Sequence, residues 1–346
     1  MNWLNQCHFG DCLETLRRMP DGIVQTCVTS PPYFGLRDYG HDGQIGLEAT
    51  PDAYIAKLVE VFREVRRVLR DDGTLWLNIG DSYAANRGYQ VPDGKVGDVG
   101  NSKGSKVPDG LKVKDLIGIP WMLAFALRAD GWYLRQEIIW SKPNPMPESV
   151  TDRCTKSHES IFLLAKSEKY YFDAGAIKDP ANLTGKGNAN GFRGGAYCNN
   201  ATFDNSAGGN RTSSGNDTRS RRDSFKRDDS KRAEVIPGQS VGTHRPDRDE
   251  SEWDTETRNK RSVWTVATTP YSGAHFATFP PKLIEPCILA GAPGGGIVLD
   301  PFFGSGTTGQ VAQQLGRKFI GIELNPAYKS LQDQRLCQKS LELEAA

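Results

Sequence analysis

The 346 residues are 37% hydrophobic and 25% charged, enough to bury a sizeable core without covalent staples. With 43 basic and 42 acidic residues the formal charge is +1, so a polyanionic partner would have to be met by a local basic face. Seven scattered cysteines (Cys7, Cys12, Cys27, Cys154, Cys198, Cys287, Cys337) show no paired CxxC spacing, which argues against a thiolate zinc site or a disulfide framework. No apolar run approaches the roughly 20 residues of a membrane span, and Met1 to Gly10 lacks the profile of a signal peptide. A soluble, cytoplasmic protein with reduced thiols and no metal is expected.

Up to about Tyr171, strand-like runs alternate with amphipathic helices, the pattern of a sheet with helices on its faces. Gly22 to Thr29 reads as a buried strand that stops at Pro31-Pro32, where two residues lack an N–H for ladder pairing. Thr50 as N-cap and Pro51 as first helical residue open a helix. Its Ile55, Leu58, Val59, Phe62, Val65 and Leu69 recur at helical spacing, with Gly73 beyond its end. Thr74 to Ile79 is the next strand, Pro120 to Ala129 the next helix, closed by Gly131, and Trp132 to Trp140 and Ile161 to Ala165 are two further strands.

Between about Gly175 and Arg261 the composition turns to Gly, Asn, Ser, Arg and Asp, too poor in apolar residues for a core of its own, so an insert or arm is expected. The α/β pattern resumes near Phe279 with a helix through Leu289. A strand from Ile297 to Asp300, a glycine-rich turn, a helix to Leu315, a strand from Phe319 to Glu323 and a last helix after Pro326 follow.

Two loops carry chemistry. Asp300-Pro301-Phe302-Phe303-Gly304-Ser305-Gly306-Thr307-Thr308 leaves a strand and opens a helix, putting backbone N–H groups and small residues where a nucleoside can approach. Glu323, ending the next strand, is suited to accept from ribose hydroxyls. Gly304, Gly306 and Gly309 also satisfy GxGxxG, which by itself leaves a dinucleotide site or a packing turn open. Against a dinucleotide, Asp300 would crowd a pyrophosphate, and this loop comes last in the chain rather than first.

Ser30-Pro31-Pro32-Tyr33 ends an early strand, where ligands bind in open α/β sheets. An exocyclic amine is a poor nucleophile because its lone pair is delocalised into the ring. A catalyst must therefore hold its N–H bonds with acceptors that favour a tetrahedral nitrogen. The Ser30 hydroxyl and the Pro31 carbonyl suit that task, Pro32 stiffens the loop, and Tyr33 offers a ring face to an extruded base. A Pro-Pro turn with an ordinary packed Tyr33 is the structural alternative to this loop taken alone.

With both loops in view the sequence resembles the amino-methyltransferases of DNA, over about three quarters of its length. Catalytic loop first, variable insert in the middle and cofactor loop last is the permuted arrangement of their β group. The resemblance implies a Rossmann-like, circularly permuted S-adenosylmethionine-dependent α/β fold in three parts: a catalytic half (1–174), a target-recognition insert, partly disordered (175–262), and a cofactor-binding half (263–346). It implies S-adenosyl-L-methionine as cofactor and double-stranded DNA as substrate, with a cognate restriction endonuclease as a further partner and a monomer or homodimer as the working unit.

By the same likeness Asp11, in Gly10-Asp11-Cys12, approaches the cofactor adenine, while Phe279 and Lys282, in Phe276 to Lys282, embrace the methionine end. The stretch from Trp140 to Pro147, with Arg153 and His158-Glu159-Ser160, lies beside the target base, which makes Lys142 and Asn144 candidate DNA contacts. Ser at the first catalytic position is typical of cytosine-N4 enzymes, with adenine N6 as the alternative. RNA, a glutamine amide, and a non-catalytic DNA-binding role stand further off. The Pro286-Cys287 pair falls inside a helix, away from the catalytic loop, and reads as packing rather than a carbon-5 nucleophile.

In the insert, Arg211 to Arg232 holds eight Arg or Lys against four Asp, a local excess of +4. Arg219, Arg221 and Arg222 there are candidate DNA contacts, in an arm that neutralises phosphates, or else the stretch is a solvated linker.

Overall fold

The computed structural model describes residues 2–35, 41, 43–84, 107, 110–181, 257–268 and 279–337. Eight strands form one sheet: β1 (Gln6–Phe9), β2 (Val24–Thr29), β3 (Leu69–Ile79), β4 (Tyr133–Ser141), β5 (His158–Ala165), β6 (Val263–Thr265), β7 (Ile297–Asp300) and β8 (Lys318–Glu323). Their spatial order is β1-β8-β7-β2-β3-β5-β4-β6. Neighbours run parallel except at β5, which is antiparallel to both β3 and β4.

Six helices flank the sheet among the described residues: α1 (Cys12–Arg18), α2 (Pro51–Val68), α3 (Ile119–Ala129), α4 (Pro281–Gly291), α5 (Thr307–Gln314) and α6 (Lys329–Cys337). The pleat separates two cores. Leu75, Leu77 and Ile79 of β3 join Leu16, Leu58, Phe62, Val65 and Leu123 from α1, α2 and α3 on one face. Trp76 of the same strand joins Ile284, Ile288 and Val311 from α4 and α5 on the other. Fully burying each such side chain is worth about 1.5–3 kcal/mol, which is why α2, with eight buried positions, anchors its layer. Every residue of β2 is buried, as a parallel strand covered on both faces requires.

The expected helix caps are in place for α2: Thr50 accepts from the Ala53 amide at 3.2 Å and Pro51 occupies the first turn. Gly73 does not sit beyond the helix in a loop. Leu69 already begins β3, and Gly73 lies inside that strand, where a Cβ would meet the Arg70 carbonyl at 2.9 Å. The last helix starts later than Pro326, which opens a short 3-10 turn (Pro326–Tyr328) leading into α6. Three elements had no expectation attached: β1, α1 and β6. Strands of four and three residues are too short for an alternation to register, and β6 gains definition only by pairing Val263 to Thr265 with Ile139 to Ser141.

Contacts divide the chain into Met1–Asp179 with Asn259–Ala346, and Pro180–Arg258. Nearly all of the second unit lies outside the described residues, and with it Arg219, Arg221, Arg222 and the whole basic stretch. Among the described residues no helix is long and apolar enough to cross a membrane.

The functional consequence of the strand order lies at β7 and β2. From β7 the chain passes through α5 to β8 on one side, and from β2 through α2 to β3 on the other, so the order reverses between these two parallel neighbours. The loops leaving them open at the same edge of the sheet.

Phe303 holds the β7 loop down. Its ring stacks on Phe319 at 5.4 Å between centroids, and Cβ atoms added at Gly321 or Gly309 would come within 2.5 and 2.6 Å of it. Gly321→Ala is expected to lower unfolding free energy by about 1–3 kcal/mol through overpacking, measured by urea denaturation followed by tryptophan fluorescence. An unchanged midpoint would show that Phe303 is not confined as described.

Candidate active site

Asp300 ends β7 as a carboxylate 1% exposed. Its Oδ1 accepts from the Thr29 hydroxyl at 2.6 Å and the Phe302 amide at 3.0 Å, and its Oδ2 from the Thr308 hydroxyl at 2.6 Å. Burial pushes its pKa up to about 6, against the pull of those three donors. The side chain therefore shapes the loop from beneath and bonds β7 to β2, rather than offering its charge to a ligand.

Above it the loop turns on Gly304 (φ 51°) and Gly306 (φ 88°), left-handed positions that suit glycine. A Cβ at Gly304 would meet only the Phe302 carbonyl, at 4.0 Å, so the space over this residue is open. Pro301, Ser305, Thr307 and Thr308 are buried and Phe302 is half-buried. The Ser305 hydroxyl is a buried oxygen without a hydrogen-bond partner. Gln332 and Arg335, on α6, brace the loop through the Gly304 carbonyl (2.7 Å) and the Thr307 hydroxyl. Polar residues three apart on an otherwise ordinary helix were the available sequence signal for this pair.

Glu323, at the end of β8, accepts from the Gly304 amide at 2.7 Å and the Asn325 amide at 2.8 Å, and burial raises its pKa. Two oxygens with about four lone-pair sites still leave it acceptor capacity. The Gly10 amide donates to the Glu323 carbonyl at 2.9 Å, which brings Asp11 to the same end of the sheet. Asp11 there caps α1, accepting from the Glu14 amide at 2.9 Å. Phe279 packs against the core beside α4, and Lys282 is exposed on that helix, without a hydrogen bond or ion pair to either loop among the described residues.

Across the switch point the second loop leaves β2. Ser30 is half-buried, and no described residue donates to the Pro31 carbonyl. The Tyr54 hydroxyl donates to the Pro32 carbonyl at 2.8 Å, and the Ser82 hydroxyl to the Phe34 carbonyl at 3.1 Å. The loop backbone is thereby fixed on both sides while the Pro31 acceptor is left available. Tyr33 lays its ring on Gly80, where a Cβ would come within 2.5 Å. Its hydroxyl donates to Glu159 Oε2 at 2.7 Å, and burial followed by the Glu159 charge pushes the phenol pKa well above its ordinary value. The Ser30 side chain also hydrogen-bonds this phenol.

Lys142 forms an ion pair with Glu159 and lies over the Trp140 ring at 4.2 Å, so it flanks Tyr33. Asn144 uses its side chain differently. Its Oδ1 accepts from the Thr268 amide at 2.9 Å, and its Nδ2 donates to the Thr268 carbonyl at 3.1 Å, tying two chain segments together. Tyr54, Ser82 and Asn78 had no sequence signal beyond their polarity, because only the fold brings them to the loop. Cys287 is 1% exposed, with its thiol toward the Leu283 carbonyl, a packing residue as its helical context implied.

A nucleoside-type glycine loop facing a rigid, acceptor-bearing loop across a switch point defines a Rossmann-like methyltransferase. Comparison with known proteins narrows the class. The family described as DNA methylase, of the N6/N4 type, matches residues 24–334. The Type II methyltransferase M.Cfr9I of Citrobacter freundii is 46% identical over 94% of this chain and 86% of its own. Two solved structures share the fold. One is PvuII DNA methyltransferase (cytosine-N4-specific), with a TM-score of 0.57 at 16% identity over 95% of this chain and 85% of its own. The other is a DNA modification methylase of Thermus thermophilus complexed with S-adenosyl-L-methionine, with a TM-score of 0.50 at 21% identity over 96% and 94%. The chain belongs to the N6/N4 DNA methylase family.

The raised pKa of Asp300 has a consequence for stability. Its folded value, about 6, exceeds the ordinary 3.8, so the unfolded chain ionises first and the group's contribution is lost as pH rises through 6. The stability of wild type relative to Asp300→Asn should fall by about 2–3 kcal/mol between pH 4 and pH 7.5, read from urea denaturation of both proteins. A difference flat over that range would contradict the assignment.

Proposed function

We propose that this methyltransferase transfers a methyl group from S-adenosyl-L-methionine to the exocyclic N4 of cytosine in a base turned out of double-stranded DNA. The observation that carries this is the Thr29–Asp300 hydrogen bond, which holds the Ser30-Pro31-Pro32-Tyr33 loop beside the glycine loop at one edge of the sheet.

The residues present suit the cofactor. Open space over Gly304, the acceptor capacity of Glu323 and the unpaired Ser305 hydroxyl are what an adenosyl group with an amino-acid tail calls for. Glu323 would take the ribose hydroxyls, Asp11 the adenine side, and the backbone and small side chains of Pro301 to Thr308 the remainder, with Phe279 and Lys282 as candidates for the methionine end. When bound, S-adenosyl-L-methionine supplies an electrophilic methyl group on a sulfonium.

The chain's own contribution is to the amine. Ser30 Oγ and the Pro31 carbonyl accept its two N–H bonds, which favours a tetrahedral nitrogen whose lone pair is no longer shared with the ring. Tyr33 supplies the apolar face for the base. Its phenol keeps its proton at neutral pH, so the ring serves as a platform and not as a base. The half-buried position of Ser30 keeps bulk water from competing for the amine.

Ser at position 30 supports cytosine N4; adenine N6 is the alternative within the same family. We assign target recognition to residues 175–262 as an insert between the two catalytic parts, with Arg219, Arg221, Arg222, Lys142 and Asn144 as the DNA contacts it and its surroundings offer. A cognate restriction endonuclease, action as a monomer or homodimer and a cytoplasmic location belong to the same proposal.

Wild-type protein incubated with labelled S-adenosyl-L-methionine and mixed-sequence duplex DNA should yield N4-methylcytosine on nucleoside mass spectrometry. N6-methyladenine instead would overturn the base assignment. Ser30→Ala should lower the single-turnover rate by about 10²- to 10³-fold with cofactor affinity unchanged, as expected for the loss of one positioned partner of the reacting group.

A further inference from the structure

We propose that Glu159 is the positioning residue of the catalytic loop, holding the Tyr33 side chain and the Lys142 ammonium in place beside the Ser30 and Pro31 acceptors. The proposal rests on the reading of that loop as the one that holds the target amine.

Three parts of the chain converge on this one carboxylate. Tyr33, from the loop after β2, donates to Oε2 at 2.7 Å, and Asn78, from β3, donates to the same oxygen at 3.3 Å. Lys142, just beyond β4, pairs with Oε1. Glu159 is the second residue of β5, in register with Trp140 of β4, while its neighbour Ser160 is in register with Ile79 of β3. The strand that runs against its neighbours therefore carries the group that ties them to the loop. With side chains only 15% and 17% exposed, Glu159 and Lys142 each offset a charge that would be costly alone.

What Glu159 controls is a rotor. Pro31 and Pro32 restrict the backbone, and Tyr54 and Ser82 fix the Pro32 and Phe34 carbonyls, so the loop's main chain has little freedom. The Tyr33 side chain is held by other means. Its ring rests on Gly80, and among the described residues its hydroxyl is held toward β3 and β5 by Glu159 and by a longer contact, 3.4 Å, to Asn78 Oδ1. Losing the Glu159 acceptor frees the ring to swing away from Gly80 and strands the Lys142 charge beside it. Both changes disturb the place where the base must lie flat while its amine meets Ser30 and Pro31.

The test uses the full-length protein with Glu159→Ala, Glu159→Gln and Tyr33→Phe, alone and combined. Glu159→Ala should cut the single-turnover methylation rate about 10- to 100-fold, with affinities for S-adenosyl-L-methionine and duplex DNA within about twofold of wild type. Glu159→Gln, which keeps an acceptor for the phenol, should recover to within about fivefold of wild type. In a Tyr33→Phe background, where the phenol handle is gone, Glu159→Ala should cost no more than about threefold further.

Hydrogen exchange supplies a readout independent of turnover: the peptide spanning Thr29 to Phe34 should exchange faster in Glu159→Ala, with the β3 and β5 peptides unchanged. Where the stranded Lys142 charge unfolds that variant, Lys142→Met with Glu159→Leu carries the same expectations for rate and exchange. A wild-type rate in Glu159→Ala, a full additive loss on top of Tyr33→Phe, or a loss confined to cofactor or DNA affinity would overturn the proposal. Absence of methylated DNA from wild type would sink the reading of the site instead, and the exchange measurement would still decide whether Glu159 holds Tyr33.

Discussion

A hydrogen bond of 2.6 Å between the Thr29 hydroxyl and the Asp300 carboxylate joins residues 271 positions apart, and the rest of the site depends on it. It forms where β2 and β7 lie side by side, the point at which strand order reverses and loops from two halves of the chain leave the sheet together. Asp300 is a buried carboxylate whose three neutral donors come from the two elements it must align, β2 and the β7–α5 turn. The raised pKa is the mark of that arrangement: burial disfavours the charge more than the donors favour it, so geometry is secured at a cost in stability near neutral pH.

Around this junction the structure uses rigidity of different kinds for its two loops. The glycine loop is held by packing, with Phe303 wedged against Gly309, Gly321 and Phe319, and with Gln332 and Arg335 bracing it from α6. The Ser30 loop is held by prolines and by hydroxyl groups reaching its carbonyls from α2 and the end of β3. The first arrangement leaves open space over Gly304, the second an unclaimed acceptor at Pro31. A ligand met by backbone and small side chains needs the former, and an amine held by two acceptors needs the latter.

Much of the architecture was legible because long, strongly patterned segments report their own state. The all-buried run of β2, the capped α2 with its helical stripe, and the strand–glycine turn–helix from Ile297 onward appear close to where the pattern put them. β1, α1 and β6 were not anticipated because four-, seven- and three-residue elements carry almost no periodicity of their own. Gly73 was misplaced for a related reason: glycine after a helix usually marks its end, but here β3 has already begun and its backbone passes too close to Arg70 for a side chain.

The sequence by itself determined the chemistry available: a serine and a proline carbonyl in a stiff loop, a glycine turn with an acidic strand end after it, and the order in which they occur. Residue type and local spacing suffice for that, since donors, acceptors and backbone freedom are properties of a few adjacent residues. Only the tertiary structure decided that Asp300 faces inward as a brace and that Asn144 spends its amide on Thr268. It also placed Glu159, Lys142 and Tyr33 in one cluster. Those outcomes depend on which strands become neighbours and which way β5 runs, and sheet order is set by burying the two faces of the whole sheet at once, a constraint that no local window of sequence contains.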